Sequence, residues 1–225
     1  MSASRPVSTS PQGFDREERE IEFGRALAFS DGVFGVAITL LITTIDVPRV
    51  TGPDLESKLV DALQALDDSV LSYFISFAVI GLMWMHHHRL FSRIHRLDSG
   101  ALWLNLLSLA FIVLMPFTTE LMGDYGDQPV AVALYALNIG LAVIAYTLLW
   151  WYCAARDMLG EHLTRAQIRY ELANRLFIAA GFFVSMPIAF ANTRLAQWSW
   201  LAFGVGQGMI SAWLERTGRA PTADD

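Results

Sequence analysis

Apolar residues gather along the chain into six long blocks divided by short polar stretches, at about 24 to 46, 70 to 90, 100 to 122, 129 to 153, 174 to 192 and 196 to 214. Each is close to the roughly 20 residues that an α-helix needs to cross about 30 Å of hydrocarbon at about 1.5 Å per residue. The pattern predicts an all-α, polytopic membrane protein with six transmembrane helices. Residues 1–23 form a polar N-terminal tail, 24–214 the membrane domain and 215–225 a short C-terminal tail. The first part of the N-terminal tail, rich in Pro and Ser, is expected to lack fixed structure.

The polar stretches carry turn chemistry. Val47-Pro48 and Gly52-Pro53 punctuate the first loop, and Asp124 to Pro129 reads as a tight turn between the third and fourth spans. Leu55, Leu59, Leu63 and Leu66 share one face of a short amphipathic helix over 54 to 68, with Asp54 as its cap, lying at the membrane interface. Residues 156 to 172 form a basic linker, and Asn192 to Arg194 turns the chain between the last two spans. Pro116 and Pro187 fall inside spans and are expected to kink them.

Composition agrees with the block pattern: 54% of residues are hydrophobic, only 17% are charged, and mean hydropathy is +0.39. The net charge of -6 matters mainly through its distribution. With a cytoplasmic N-terminus, Arg49, Lys58 and Arg194 are the only ones of 16 basic residues that fall outside. This asymmetry predicts an even number of spans with both termini cytoplasmic. The outer segments hold Asp46, Asp54, Glu56, Asp61, Asp67, Asp68, Glu120, Asp124 and Asp127, either a cation-attracting mouth or ordinary solubilising charge. No secretory signal peptide is expected, and the lone Cys153 excludes an intrachain disulfide.

The first span draws attention because Arg25 and Asp31 stand in its leading turns, where hydrocarbon rejects charge unless protein pairs it. Taking Val36 as zero and advancing about 100° per residue, Leu40 falls near +40°, Thr43 near -20° and Thr39 near -60°. Gly32 and Phe29 extend this stripe, whereas Asp31 points about 140° away from it. Such a stripe suits a narrow pathway, since aliphatic rings gate by dewetting and hydroxyls replace hydration water. One subunit cannot close such a ring, so that reading requires an oligomer. The same face would equally serve plain helix packing.

Asp31 needs a donor, and Arg25 or the polar end of the second span, Trp84 to Phe91, supplies candidates. His86, His87 and His88 cannot chelate one ion together, because helical neighbours diverge by about 100°. One or two of them are instead expected to bond the Ser30/Asp31 region, with Asn105 joining. No carbonyl selectivity filter, arginine-repeat voltage sensor, phosphate loop, HExxH or nucleophile elbow occurs, so no enzyme is expected and no cofactor.

Arg25-x-x-x-Phe29-Ser30-Asp31 followed by Gly-Val-Phe-Gly-Val-Ala-Ile-Thr-Leu-Leu resembles the signature of the transmembrane protein 175 potassium channels, in their single-repeat bacterial form. Ser72-Tyr73, Ser76-Phe77, Trp84-x-His86-His87-x-x-Leu90-Phe91, Asn105-Leu106 and Pro116-Phe117 extend the match across the first three spans. The resemblance implies a potassium-permeable leak channel in which four subunits arrange their first helices around the pore. It places constriction residues at Val36, Leu40 and Thr43 and a pore threonine at Thr39, the stripe reached from helical geometry. It gives Arg25, Phe29, Ser30 and Asp31, with Trp84, His86, His87 and Asn105, the task of holding helices together. Val36 and Thr43 depart from the bulkier aliphatic residues of the pattern, which leaves Leu40 as the narrowest ring.

The reading that follows is a homotetrameric cation leak channel of a bacterial inner membrane, potassium-selective or weakly so. Its partners are potassium ions and the lipid bilayer, without nucleic acid. It has no structural metal site, and K+ is held only transiently at Thr39 and Thr43. Two alternatives stay open: a proton-coupled secondary transporter using Asp31 and His86 to His88, and a scaffold with no pathway.

Overall fold

The computed structural model describes residues 11–160 and 163–216, with side chains described for 21–160, 163–204, 206 and 209. Helices make up the fold: α1 (Pro11–Leu40), closing in a 3₁₀ turn (Leu41–Thr44), α2 (Leu55–Gln64), α3 (Asp67–Phe91), α4 (Ser99–Val113), α5 (Met115–Tyr125), α6 (Pro129–Ala155), α7 (Arg165–Ala191) and α8 (Thr193–Arg216). The described residues contain no strand, only an isolated antiparallel pairing of Ile94 with Leu159.

Five stretches are long and apolar enough to cross a membrane: Ile21–Thr44, Asp67–Phe91, Ser99–Tyr125, Pro129–Ala155 and Arg165–Ala191. The sixth expected span lies within α8, which is helical but does not reach the same mean hydropathy over its described residues. Gln197 and Ser199 dilute its apolar run. Asp15 to Glu22, expected in the tail, is helical and runs unbroken into the first span. Residues 1–10, where a start without structure was expected, and the end of the C-terminal tail lie outside the described residues.

The third span breaks at Leu114, between α4 and α5. Pro116 has no N–H for the carbonyl one turn earlier, and α5 restarts with this proline in its first turn. The Thr118 hydroxyl lies 3.2 Å from the Met115 carbonyl and 3.3 Å from that of Leu114, within the first turn of α5. Pro187, in contrast, leaves α7 uninterrupted. The expected single helix over 54 to 68 is divided, since α2 ends at Gln64 and α3 opens at Asp67. Asp54 is left-handed (φ 59°) and its side chain makes no capping bond. No residue of α2 is buried, so Leu55, Leu59 and Leu63 face away from the bundle. The basic linker is also shorter than expected, because Thr164 and Gln167 form a reciprocal capping box that starts α7 at Arg165.

Two apolar clusters hold the helices together. In one, Phe34 and Ala37 of α1 and Leu41 of its closing 3₁₀ turn meet Ile80, Ile112, Met115 and Tyr135. The other, at the basic end, joins Leu90 and Phe91 of α3 to Ala101, Leu149 and Trp150, with Phe23 and Leu27 of α1 against them. Because lipid is as apolar as these side chains, contact between the helices depends on close fit more than on exclusion of water. Gly181 shows the tolerance: a Cβ there would sit 2.9 Å from the Phe203 ring, so α7 and α8 approach closely only with glycine at this point.

Asp98 ties α4 to α6. Its carboxylate accepts from the Ala101 amide at 2.9 Å, capping α4, and from the Tyr152 hydroxyl at 3.0 Å. The Ala101 bond does most to hold this carboxyl below its ordinary value; partial burial opposes it and Tyr152 assists. Asp98→Ala is expected to lower stability by about 1 kcal/mol, the usual value of an N-cap. A depressed folded pKa stabilises above the unfolded value of 3.8 and is lost as pH falls through the folded one. The gap in melting temperature between wild type and Asp98→Ala should therefore be constant near neutrality and narrow below pH 3.8.

Candidate functional site

The first helix has two faces with different surroundings. Ser30, Phe34, Ala37, Leu41 and Thr44 recur every three or four residues and are buried against the other helices, chiefly α3, α4 and α5. Phe29, Gly32, Val36, Thr39, Leu40 and Thr43 lie on the other side and are exposed, Val36 by 58% and Leu40 by 44%. No described helix of the subunit covers this second face. Added Cβ atoms at Gly32 and Gly35 would meet nothing within 4 Å, so the backbone there is open to close approach.

The two threonines of the stripe are oriented by their own helix. Thr39 Oγ1 donates to the Val36 carbonyl at 2.9 Å and Thr43 Oγ1 to the Leu40 carbonyl at 2.7 Å. With its one proton directed at the backbone, each hydroxyl keeps oxygen lone pairs free as acceptors. Groups of this kind replace the water around a cation. Leu40 lies between them along the stripe and supplies the apolar part.

The motif residues on the buried side form a chain of hydrogen bonds with a defined direction. Ser30 Oγ donates to the Ala26 carbonyl at 2.9 Å, so it accepts from Asn105 Nδ2, also at 2.9 Å. That orients the Asn105 amide and leaves its oxygen to accept from His87 Nε2 at 2.9 Å. His87 is thereby assigned the neutral tautomer with its proton on Nε2. Its Nδ1 is buried without a partner, with the Phe91 ring stacked at 4.2 Å and Phe34 at 5.3 Å. An unpaired acceptor in an aromatic setting is tolerable, whereas a buried unpaired charge is not.

Other motif residues lie apart from this chain. Asp31 accepts from the Trp84 indole Nε1 at 2.9 Å, joining α1 to α3 at a second point. Arg25 is exposed and, among the described residues, has no ion pair with Asp31. The indole took that place because Trp84 reaches the Asp31 side of α1. Phe29 is exposed on the stripe side and makes no contact in the buried chain. His86 also points elsewhere: its Nδ1 lies 2.9 Å from the Leu82 carbonyl, and its own carbonyl accepts from Tyr146 at 2.7 Å. His88 lies beside the Trp84 ring at 5.6 Å. Three consecutive histidines thus occupy three environments, as their angular spread requires.

A second buried polar cluster has no counterpart in the residues singled out for chemistry. Thr119 Oγ1 contacts Ser76 Oγ at 2.7 Å, and Ser76 contacts the Tyr135 hydroxyl at 2.9 Å, linking α5, α3 and α6. Asn138 Nδ2 bonds the Phe111 carbonyl at 3.2 Å across the α4–α6 contact. The available signal was a polar residue inside each apolar block, which in lipid implies a partner on another helix.

Residues 25–116, which carry the stripe and both α1 contacts, match the family described as the endosomal/lysosomal potassium channel TMEM175. A potassium channel of Streptomyces collinus is 37% identical over 182 residues, covering 76% of this chain and 87% of the relative. One from Chamaesiphon minutus is 35% identical over 189 residues, covering 82% and 89%. The fold is similar to the crystal structure of a lysosomal potassium-selective channel TMEM175 homolog from Chamaesiphon minutus, with a TM-score of 0.71 and 32% identity, covering 84% of this chain and 98% of that one.

Proposed function

The chain belongs to the endosomal/lysosomal potassium channel TMEM175 family, a family of ion channels and not of enzymes, and on that premise we propose that it is a potassium leak channel whose pore is lined by α1. Four subunits with six spans each, α8 being the sixth, bring their α1 helices to a common axis. Residues 24–214 make the channel, in the inner membrane of a bacterium, with the polar segments 1–23 and 215–225 on the cytoplasmic side.

The observation that carries this reading is the uncovered stripe of Val36, Thr39, Leu40 and Thr43, opposite a face packed tightly into the subunit. A lone subunit offers these side chains to lipid, where two threonine oxygens gain nothing. Around an axis the same oxygens form rings of acceptors for a partly dehydrated cation, and Leu40 forms an apolar neck between them. The carbonyl end of α1 and the acidic residues of the adjoining loops lie at one end of this path, where both favour cations.

The hydrogen-bond geometry favours the channel over a proton-coupled carrier. The chain from His87 through Asn105 and Ser30 ends on the Ala26 carbonyl, which has no proton to pass on. Asp31 is engaged by Trp84 and stands outside that chain. These groups pin α1 to its neighbours.

Reconstitution in liposomes under opposed potassium and sodium gradients, with a mass measurement of the purified oligomer, tests the proposal. Potassium flux from a four-subunit particle is expected; a monomer without flux would refute it. Thr39→Val removes an acceptor ring at nearly constant volume. It should shift the reversal potential in planar bilayers toward lower potassium preference while currents persist.

A further inference from the structure

A cavity of about 290 Å³ opens at the basic end of the bundle, between the end of α3, α6 and the first half of α7, remote from the exposed stripe of α1. Its wall includes His86, Arg89, Arg93, Tyr170, Glu171 and Arg175. Three arginines against one glutamate leave it strongly cationic. Arg175 is held by Glu171 at 3.0 Å and lies over the Trp150 and Tyr146 rings at 4.8 and 5.4 Å, yet its Nε is buried without an acceptor. Arg89 and Arg93 stand one turn apart, a spacing at which like charges repel, and neither side chain has an acidic partner among the described residues. The Gly160 amide donates to the Arg93 carbonyl at 2.8 Å, and the His95 amide to the Met158 carbonyl at 3.0 Å, so the cavity mouth is braced by the α6–α7 loop.

We propose that this cavity binds a phosphate-bearing anion, held by Arg89 and Arg93 from one side and Arg175 from the other. Guanidinium forks match the tetrahedral oxygens of phosphate, which can bridge two arginines that otherwise repel. The site lies where three membrane helices end, a location where basic pockets take lipid headgroups. A lipid phosphodiester and free phosphate share this chemistry. The binding does not depend on conduction, so it stands or falls separately from the pore.

The test uses the full chain in detergent, with melting temperature and native mass spectrometry as readouts. Phosphatidylglycerol is compared with diacylglycerol in the micelles, and inorganic phosphate with chloride at equal ionic strength. R89Q/R93Q removes two cations whose side chains make no hydrogen bond among the described residues, and R89K/R93K retains the charge. Binding of one or both phosphate-bearing probes is expected, weakened roughly 10- to 30-fold in R89Q/R93Q, the loss expected of two basic side chains, and weakened less in R89K/R93K, which keeps the charge but not the fork. A response to phosphatidylglycerol alone identifies a headgroup site, and one to inorganic phosphate alone a site for a soluble ligand. Absence of any phosphate-dependent shift in the wild type, or an equal shift in R89Q/R93Q, would overturn the proposal.

Discussion

Leu40→Ala is expected to raise potassium conductance by about tenfold or more, because it would remove the apolar neck proposed between the Thr39 and Thr43 oxygens. A hydrophobic constriction resists cations by excluding the water they carry, and it weakens steeply as it widens. In the proposed tetramer, shortening one side chain in each of four copies would widen the ring on all sides. A fall of about 1.4 kcal/mol in the barrier already amounts to a factor of ten. Ile42→Ala is the control: Ile42 is 57% exposed but lies about 120° round the helix from Val36, outside the stripe. Currents through Leu40→Ala equal to those of the wild type would remove this face of α1 from the ion path.

Asn105→Leu is expected to have the largest effect on stability. The substitution keeps an apolar side chain of similar size but deletes the acceptor for His87 Nε2 and the donor to Ser30 at once. His87 and Asn105 are 1% and 2% exposed, so no water replaces the lost partner. Leaving a buried donor unpaired costs about 1 to 3 kcal/mol. The lower part of that range is more realistic within a bilayer, where separated helices find other partners. Melting of the reconstituted protein should fall by several degrees, and loosening of α1 should add noise to single-channel currents. A variant as stable as the wild type would show that this chain contributes little to holding α1.

These two residues also illustrate how much of the site is legible in the sequence. The place of Leu40 on the stripe follows from angular spacing: an α-helix turns by a constant amount, so Val36, Thr39 and Leu40 share a side, and Thr43, one 3₁₀ turn beyond Leu40, keeps to it. Asn105 is recognisable as a polar residue in an apolar block. Its bonds to His87 and Ser30 depend on how three helices are set against one another. The pairing of Asp31 was open for the same reason. Arg25, on the same helix, was as plausible a donor as the end of α3, and the packing of α3 on α1 brought the Trp84 indole instead. The resemblance sets His86 with His87 among the helix-holding residues, and the rotation of α3 turns its side chain toward the cavity with Arg175.

Local and compositional properties of the chain were enough for the helical class, the membrane spans from α1 to α7, the charge asymmetry between the two ends and the face of α1 that carries the stripe. Each of these depends on the spacing or average polarity of nearby residues, and helix geometry converts either into structure with little freedom. The break at Pro116 and the continuity at Pro187 separate two prolines with the same local preference. The direction of the His87 chain, the Asp31 partner and the arginine cavity were settled only when helices distant in sequence came together. A hydrogen bond or a cavity wall requires atoms within a few ångströms, and the order of residues does not encode that distance.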